Sequence, residues 1–401
     1  MKTNTPRQVT ALWLIWVLTL LGFQAWSVAR ALPQAPDEAR LWTAEYTPES
    51  ALPASRSALV PLLHEQAAWD SEYYLSIARH GYEDAAIDRV DVNDRSIPLS
   101  YAFPPLYPLL MRLLAAFPMA LGMGSDTATA LSGVLISALG ALAACLALFQ
   151  MVDEHTENTD KMRVVFLFLI FPSAFFLAQI YSEGLFIGLS FSALFASKRG
   201  NWLLSGVLAG LAALTRTVGV ALAIPLALAA LPALKKKDWQ KAAPLLAAAA
   251  LPMLVFAALQ LSTWGQLSAA VQGAFYNRTL FNLARMRTDW GEAIQAILYG
   301  PAASGAYHLM EISLTVLAFA ASLYWLKRDA SLALYSLAVL SIALSSGDLQ
   351  GMYRYALAAP AVFLALGAWS KNWLFERGWT MVSMLLLGFN AWLFAVNFWA
   401  G

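Results

Sequence analysis

The chain has one cysteine and four histidines among 401 residues. Cys145 sits in an apolar run, so an intrachain disulfide and a cysteine-built metal centre are both excluded, and packing accounts for it. The histidines stand at 64, 80, 155 and 308 with no HExxH or other paired spacing, so no protein-built metal site is expected. Charge is equally sparse. Asp, Glu, Lys and Arg make up 13% of the chain, the net charge is +1, and no basic stripe interleaved with aromatics occurs, which leaves nucleic acid without a footprint. Walker, GxGxxG and GxSxG motifs are absent, and with them the usual seats for nucleotide phosphates and an elbow serine. Neither a fixed-period repeat nor inverted symmetry is visible.

Apolar residues fill the gap, at 59% of the chain and a mean hydropathy of +0.58. A bilayer core about 30 Å thick asks for roughly 20 apolar residues per spanning helix, because no water there satisfies bare backbone. The composition predicts an all-α polytopic membrane protein. The first run, 10–29, follows Lys2 and Arg7, and Ala29-Arg30-Ala31 weakly imitates a cleavage site. That run is longer than a signal h-region of about 7–15 residues, so an uncleaved first span is expected. Further spans are expected at 127–150, 163–180, 184–197, 201–215, 217–234, 242–263, 305–326, 330–346, 354–370 and 379–399, which makes about eleven. Several fall short of a full crossing, which suggests helices held inside a bundle or local thinning.

The stretch 105–122 is apolar but interrupted by Pro105, Pro108, Arg112 and Pro118, and charge placement decides its role. Laid along the surface, it leaves the loops at 151–163, 198–201, 235–241, 327–329 and 371–378 on one side. With Lys2 and Arg7, that side holds 14 of the 26 basic residues and every lysine. By the positive-inside rule it is cytoplasmic, and a crossing at 105–122 would flip every later loop. A juxtamembrane or re-entrant helix on the outer face is therefore expected. Residues 31–126 and 264–304 then become the two large non-cytoplasmic segments of one membrane domain, 1–401.

The first of these segments carries Trp69-Asp70-Ser71-Glu72-Tyr73-Tyr74, running to His80-Gly81-Tyr82, and then Ala102-Phe103-Pro104-Pro105-Leu106-Tyr107-Pro108. A carboxylate beside a membrane is expensive unless it works for something. The spacing predicts a short amphipathic helix over 69–80, with Trp69, Tyr73 and Ile77 on one stripe, Asp70 and Tyr74 on the next, and a stop at Gly81. Asp70 either caps this helix or serves as a general base at the membrane face. His80 either hydrogen-bonds a substrate or supplies a favourable charge at the helix end. Arg216 and Arg354, the latter followed by Tyr355, fall at outer helix ends; each either grips phosphate with its planar fork or anchors a helix at the headgroups. Ser182 and Glu183 begin a helix at the same boundary, either as dipole partners or as site residues. Glu72, Asp84, Asp88, Asp91 and Asp94 could in principle hold a divalent cation, yet none is indicated and 83–95 reads as a solvated loop. No cofactor is expected.

The order Trp69-Asp70, Leu75, Ile77-Ala78, Gly81-Tyr82, Ala102-Phe103 with Pro105-Leu106-Tyr107-Pro108, Tyr181-Ser182-Glu183 and Arg354-Tyr355 resembles a known family. It is similar to the multispanning mannosyltransferases related to the second mannosyltransferase of glycosylphosphatidylinositol anchor assembly, in the GT-C class. The resemblance is strongest over 66–110 and 170–220. It implies a GT-C-like bundle, a donor carrying mannose or another hexose on polyprenyl or dolichyl phosphate, and a catalytic Asp in the first outer loop, which falls on Asp70. Pro104 replaces the Phe common in the family's Ala-Phe-Phe-Pro, and Tyr73 stands where eukaryotic members often have His. Both departures bear on the acceptor.

An inverting transfer follows, with Asp70 as base and Arg354, then Arg216, supporting the leaving lipid phosphate. Trp69, Phe103 and Tyr107 bound the sugar; Glu72, Tyr74, His80, Ser182, Glu183 and Tyr355 complete the candidate substrate contacts. The acceptor is a glycolipid, glycan or protein hydroxyl, and the compact loops favour a bacterial cytoplasmic membrane over the lumenal face of the ER. One rival is a transporter or lipid flippase, which usually buries its ionisable groups at the midplane of broken helices, whereas the polar candidates here gather at one face. Another is a non-catalytic GT-C-like subunit.

Overall fold

The first apolar run folds as one 25-residue rod, α1 (Pro6–Arg30). The computed structural model describes residues 5–30, 61–155, 160–347, 349–396, 398 and 400. Residues 31–60 of the expected first outer segment, and with them Ala31 of the cleavage-like triplet, lie outside the described residues. The segment resumes with α2 (Ser71–His80), a hairpin of β1 (Arg89–Val92) and β2 (Arg95–Pro98), and α3 (Leu106–Ala120). The bundle continues through α4 (Ser125–His155), α5 (Lys161–Leu169), α6 (Glu183–Lys198), α7 (Trp202–Thr215), α8 (Ala223–Lys235) and α9 (Trp239–Leu261). The expected second outer segment forms α10 (Thr263–Ala274) and α11 (Leu283–Tyr299). Then come α12 (Ala302–Trp325), α13 (Ala330–Ser345), the short α14 (Met352–Ala356), α15 (Pro360–Trp369) and α16 (Trp373–Ala395).

Polar residues punctuate these apolar runs. Asp160, Asn201, Asp238, Ser262, Asn282, Asp329 and Asn372 each accept a hydrogen bond from a first-turn N–H, which starts the following helix where the sequence places a short polar side chain. Among the described residues, six helical stretches are long and apolar enough to cross a membrane, and four shorter apolar helices accompany them. About eleven spans were expected. Most of the difference is length, since helices such as Trp202–Thr215 and Ala330–Ser345 are apolar but shorter than a full crossing; two runs are also interrupted. The run 163–180 stops at Leu169 because Pro172 interrupts it, and resumes only as a short 3-10 turn, Ala174–Ala178. The run 354–370 divides into α14 and α15 at Pro360, a residue suited to a helix start but not to a helix interior. The expected solvated loop at 83–95 is likewise replaced in part by the hairpin, in which Arg89 pairs with Pro98 and Val92 with Arg95.

The stretch 105–122 folds as the single helix α3, buried along one face by Tyr107, Met111 and Ala115, with Leu109, Leu113 and Phe117 outward. At the heart of the bundle α4 and α6 meet backbone to backbone. A Cβ on Gly184 would overlap the Ser137 carbonyl, and one on Gly188 would overlap the Gly140 carbonyl. Small residues at such a spacing let two helices approach closely. This contact fixes the start of α6, and Glu183 is its first residue.

Candidate active site

Asp70 stands at the N-cap position of α2, but its side chain makes no capping hydrogen bond. The capping role is thus not what holds it. Trp69 precedes it at φ +57°, a left-handed conformation that costs an ordinary residue about 1–2 kcal/mol and that surrounding contacts must enforce. The buried Trp69 indole donates to the Phe398 carbonyl at 3.2 Å. On the other side the Asp70 N–H donates to the Tyr181 hydroxyl at 3.2 Å, and that hydroxyl donates to the Ala68 carbonyl at 3.3 Å. The backbone on both sides of the carboxylate is therefore pinned, while the carboxylate itself stays partly exposed.

Its partner is Arg354, whose Nη2 lies 3.3 Å from Asp70 Oδ2. The same guanidinium donates through Nε at 2.9 Å and Nη2 at 2.5 Å to Glu183 Oε1. Arg216 Nη1 reaches that oxygen as well, at 2.5 Å. Two arginines and two carboxylates thus form one network around a buried Glu183. Aromatic faces complete it: the Arg354 guanidinium lies 4.5 Å from the Phe176 ring centre and 5.1 Å from that of Tyr181, and Arg216 lies 4.9 Å from that of Tyr355. Tyr74 donates to the Ser182 hydroxyl at 2.9 Å. Burial, and then the nearby Glu183 charge, push the Tyr74 phenol well above its ordinary value, so it remains a donor.

A cavity of about 420 Å³ opens beside this network. Asp70, Tyr74, Phe103, Ser182, Arg216, Arg354 and Tyr355 line it, seven of the residues expected at the site. The other five stand off its wall. Glu183 lies behind the two arginines it holds, and Trp69 is turned toward Phe398. Tyr107 is fully buried against Tyr74, ring centres 4.9 Å apart, and donates to the Gly133 carbonyl. Glu72 is buried within α2, and His80 is exposed at its far end, where a terminal cation suits the helix. Among the described residues no three His, Cys, Asp or Glu side chains gather as metal ligands would.

The opposite wall was not anticipated. Gln260, Ser268 and Gln272, from α9 and α10, and Arg278 and Thr279, from the connector after α10, face the cavity. Arg278 and Thr279 belong to Asn277-Arg278-Thr279, a match to a glycosylation sequon. Pro104, the departure from the family's aromatic pattern, also lies on the wall.

Residues 44–325 match the family described as Mannosyltransferase (PIG-V). The chain belongs to the PIG-V mannosyltransferase family. Among curated relatives, GPI alpha-1,6-mannosyltransferase 2 of Rattus norvegicus is 31% identical over 172 residues, which is 40% of this chain and 30% of that protein. GPI mannosyltransferase 2 of Yarrowia lipolytica is 29% identical over 147 residues, 36% of this chain and 41% of the yeast protein. The matches therefore span less than half the length of these relatives. Among solved structures, ArnT of Cupriavidus metallidurans bound to undecaprenyl phosphate aligns with 86% of this family member and 75% of its own chain, at 12% identity and a TM-score of 0.45. The archaeal oligosaccharyltransferase AglB of Archaeoglobus fulgidus, in complex with an inhibitory peptide and a dolichol-phosphate, aligns with 96% of this chain and 56% of its own, at 15% identity and a TM-score of 0.43.

Proposed function

We propose that this PIG-V family member is an inverting mannosyltransferase, with Asp70 as general base and a polyprenyl-phosphate-linked hexose as donor. The contact between Asp70 and Arg354 at the edge of one cavity carries the reading, because it sets a base and a phosphate-binding cation side by side. An acceptor hydroxyl within about 2.6–3.2 Å of the Asp70 carboxylate gives up its proton as its oxygen attacks the anomeric carbon. The bond from that carbon to the phosphate oxygen breaks on the opposite face, and lipid phosphate leaves with the electron pair. Arg354 and Arg216 stabilise the charge that develops on the phosphate, and their fixed tie to Glu183 spares reorganisation at that moment.

The apolar part of the wall, Val218, Phe256, Leu280 and Ile342, suits the first isoprene units of the donor. A nucleotide is not needed, since the phosphodiester already activates the sugar. The positive-inside reading of the loops supports a site on the non-cytoplasmic face. The acceptor is a hydroxyl of a glycolipid, glycan or protein.

Transfer of labelled mannose from polyprenyl-phosphate-mannose by the purified protein, with membrane extract as acceptor, tests this. Asp70→Asn is expected to abolish transfer while the protein stays folded and inserted. A near wild-type rate removes the base assignment. Passage of intact donor across a vesicle membrane, without loss of the sugar, supports a transporter instead.

A further inference from the structure

Glu311 lies within α12, one of the helices long and apolar enough to cross a membrane, and its side chain is 0% exposed. An ionisable group in such a place is expensive and is kept where it does something. Nothing in the transfer step uses it. Glu311 Oε1 accepts from the Tyr307 hydroxyl at 2.8 Å and from the Gly351 N–H at 2.7 Å, and Oε2 accepts from the Tyr353 N–H at 3.0 Å. Gly351 and Tyr353 bracket the first residue of α14, and Arg354 comes next. First-turn N–H groups of a helix have no intrahelical partner, so this carboxylate supplies what the short helix lacks.

The local backbone is unusual enough to need such a hold. Gly351 sits at φ +77°, a left-handed conformation open to glycine and costly for other residues. Immediately beyond, Pro360 begins the next helix, so α14 is only five residues long and cannot rely on its own ladder for rigidity.

We propose that Glu311 is a positioning residue for Arg354, acting from inside the bundle through the backbone of Gly351 and Tyr353. The role rests on the reading of Asp70 and Arg354 as the reacting pair. A carboxylate suits it better than an amide. Three donors converge on Glu311, and a carboxylate offers about four acceptor sites and no donor, whereas a glutamine would turn its NH2 toward one of the backbone N–H groups. Glu311 therefore sets where Arg354 begins, and Glu183 sets where its guanidinium ends.

The test uses full-length protein in detergent, with polyprenyl-phosphate-mannose as donor. Glu311→Gln is expected to lower kcat by on the order of 10- to 100-fold with acceptor KM unchanged, since about 1 Å of misplacement can cost roughly that much. In an Arg354→Lys background the same change should lower kcat by less than about 2-fold, because a group acting only through Arg354 has nothing left to place. A tie that is merely structural lowers activity by the same factor in both backgrounds; that result, or a wild-type rate in Glu311→Gln, overturns the proposal. Should Glu311→Gln fail to fold, Tyr307→Phe removes one donor from the same carboxylate; its smaller loss should also vanish beside Arg354→Lys, and a loss that persists there overturns the proposal. Asp70→Asn separates the two levels. If it leaves transfer intact, the reading of the site falls; if it abolishes transfer while Glu311→Gln does not reduce it, only the positioning role falls.

Discussion

Arg354→Lys keeps the charge of the site and removes its fork. In the native arrangement Nε and Nη2 both donate to Glu183, Nη2 also reaches Asp70, and the guanidinium plane rests beside Phe176. An ammonium has a single nitrogen and cannot reproduce the paired Nε and Nη2 contacts to Glu183 together with the reach to Asp70. Glu183 is the deeper and closer partner, so the lysine follows Glu183 and gives up Asp70. A hydrogen bond between charged groups contributes about 1.5–3 kcal/mol. At about 1.36 kcal/mol per decade, losing the one that orients the base lowers kcat/KM by roughly 10- to 150-fold. Folding should change far less, because Glu183 retains two cationic neighbours. Initial rates of mannose transfer, set beside a thermal unfolding midpoint of the same detergent preparation, measure both quantities. A folded Arg354→Lys protein with kcat/KM within about 2-fold of wild type, under roughly 0.5 kcal/mol, refutes the assigned role.

Two other substitutions act on the supports of the pair. Glu183→Gln leaves two buried guanidinium groups with a single carboxylate between them, and removing one partner from a buried ion pair costs about 3–5 kcal/mol, so the unfolding midpoint should fall sharply and transfer with it. Gly184→Ala forces a methyl group into the Ser137 carbonyl and should destabilise by about 1–3 kcal/mol or more while displacing the adjacent Glu183; Gly291→Ala, inside α11 where a Cβ meets nothing within 4 Å, serves as the contrasting control in the same unfolding measurement and should stabilise by about 0.5–1 kcal/mol.

The sequence announces Asp70, Glu183, Arg216 and Arg354 for one physical reason. In a chain this poor in charge, each ionisable group at the end of an apolar run stands out against the energy of burying it. What sequence cannot supply is which of these groups meet. That Glu183 Oε1 serves both arginines depends on helices that approach only in three dimensions. Tyr107, His80 and Trp69 read as pocket residues by proximity in sequence, but helix geometry turns the first two away and the left-handed backbone at Trp69 rotates the third. The far wall carries no local signal, since Gln260, Ser268 and Gln272 are ordinary polar residues in α9 and α10. Glu311 did have one: a carboxylate inside the run 305–326 is visible without coordinates. Pro172 and Pro360 interrupt runs whose hydropathy otherwise reads as continuous, so each run becomes two shorter elements.

The network around Glu183 also carries an order of assembly. Glu183 and Arg216 are 33 residues apart, so their pair can close soon after both helices have emerged from the ribosome. Asp70 and Arg354 are separated by 284 residues, and loop closure over such a distance comes late. The Glu183–Arg216 pair carries no net charge, so the two helices can close together without a bare charge between them. The Asp70–Arg354 contact, and with it that edge of the cavity, is thus among the late features of folding.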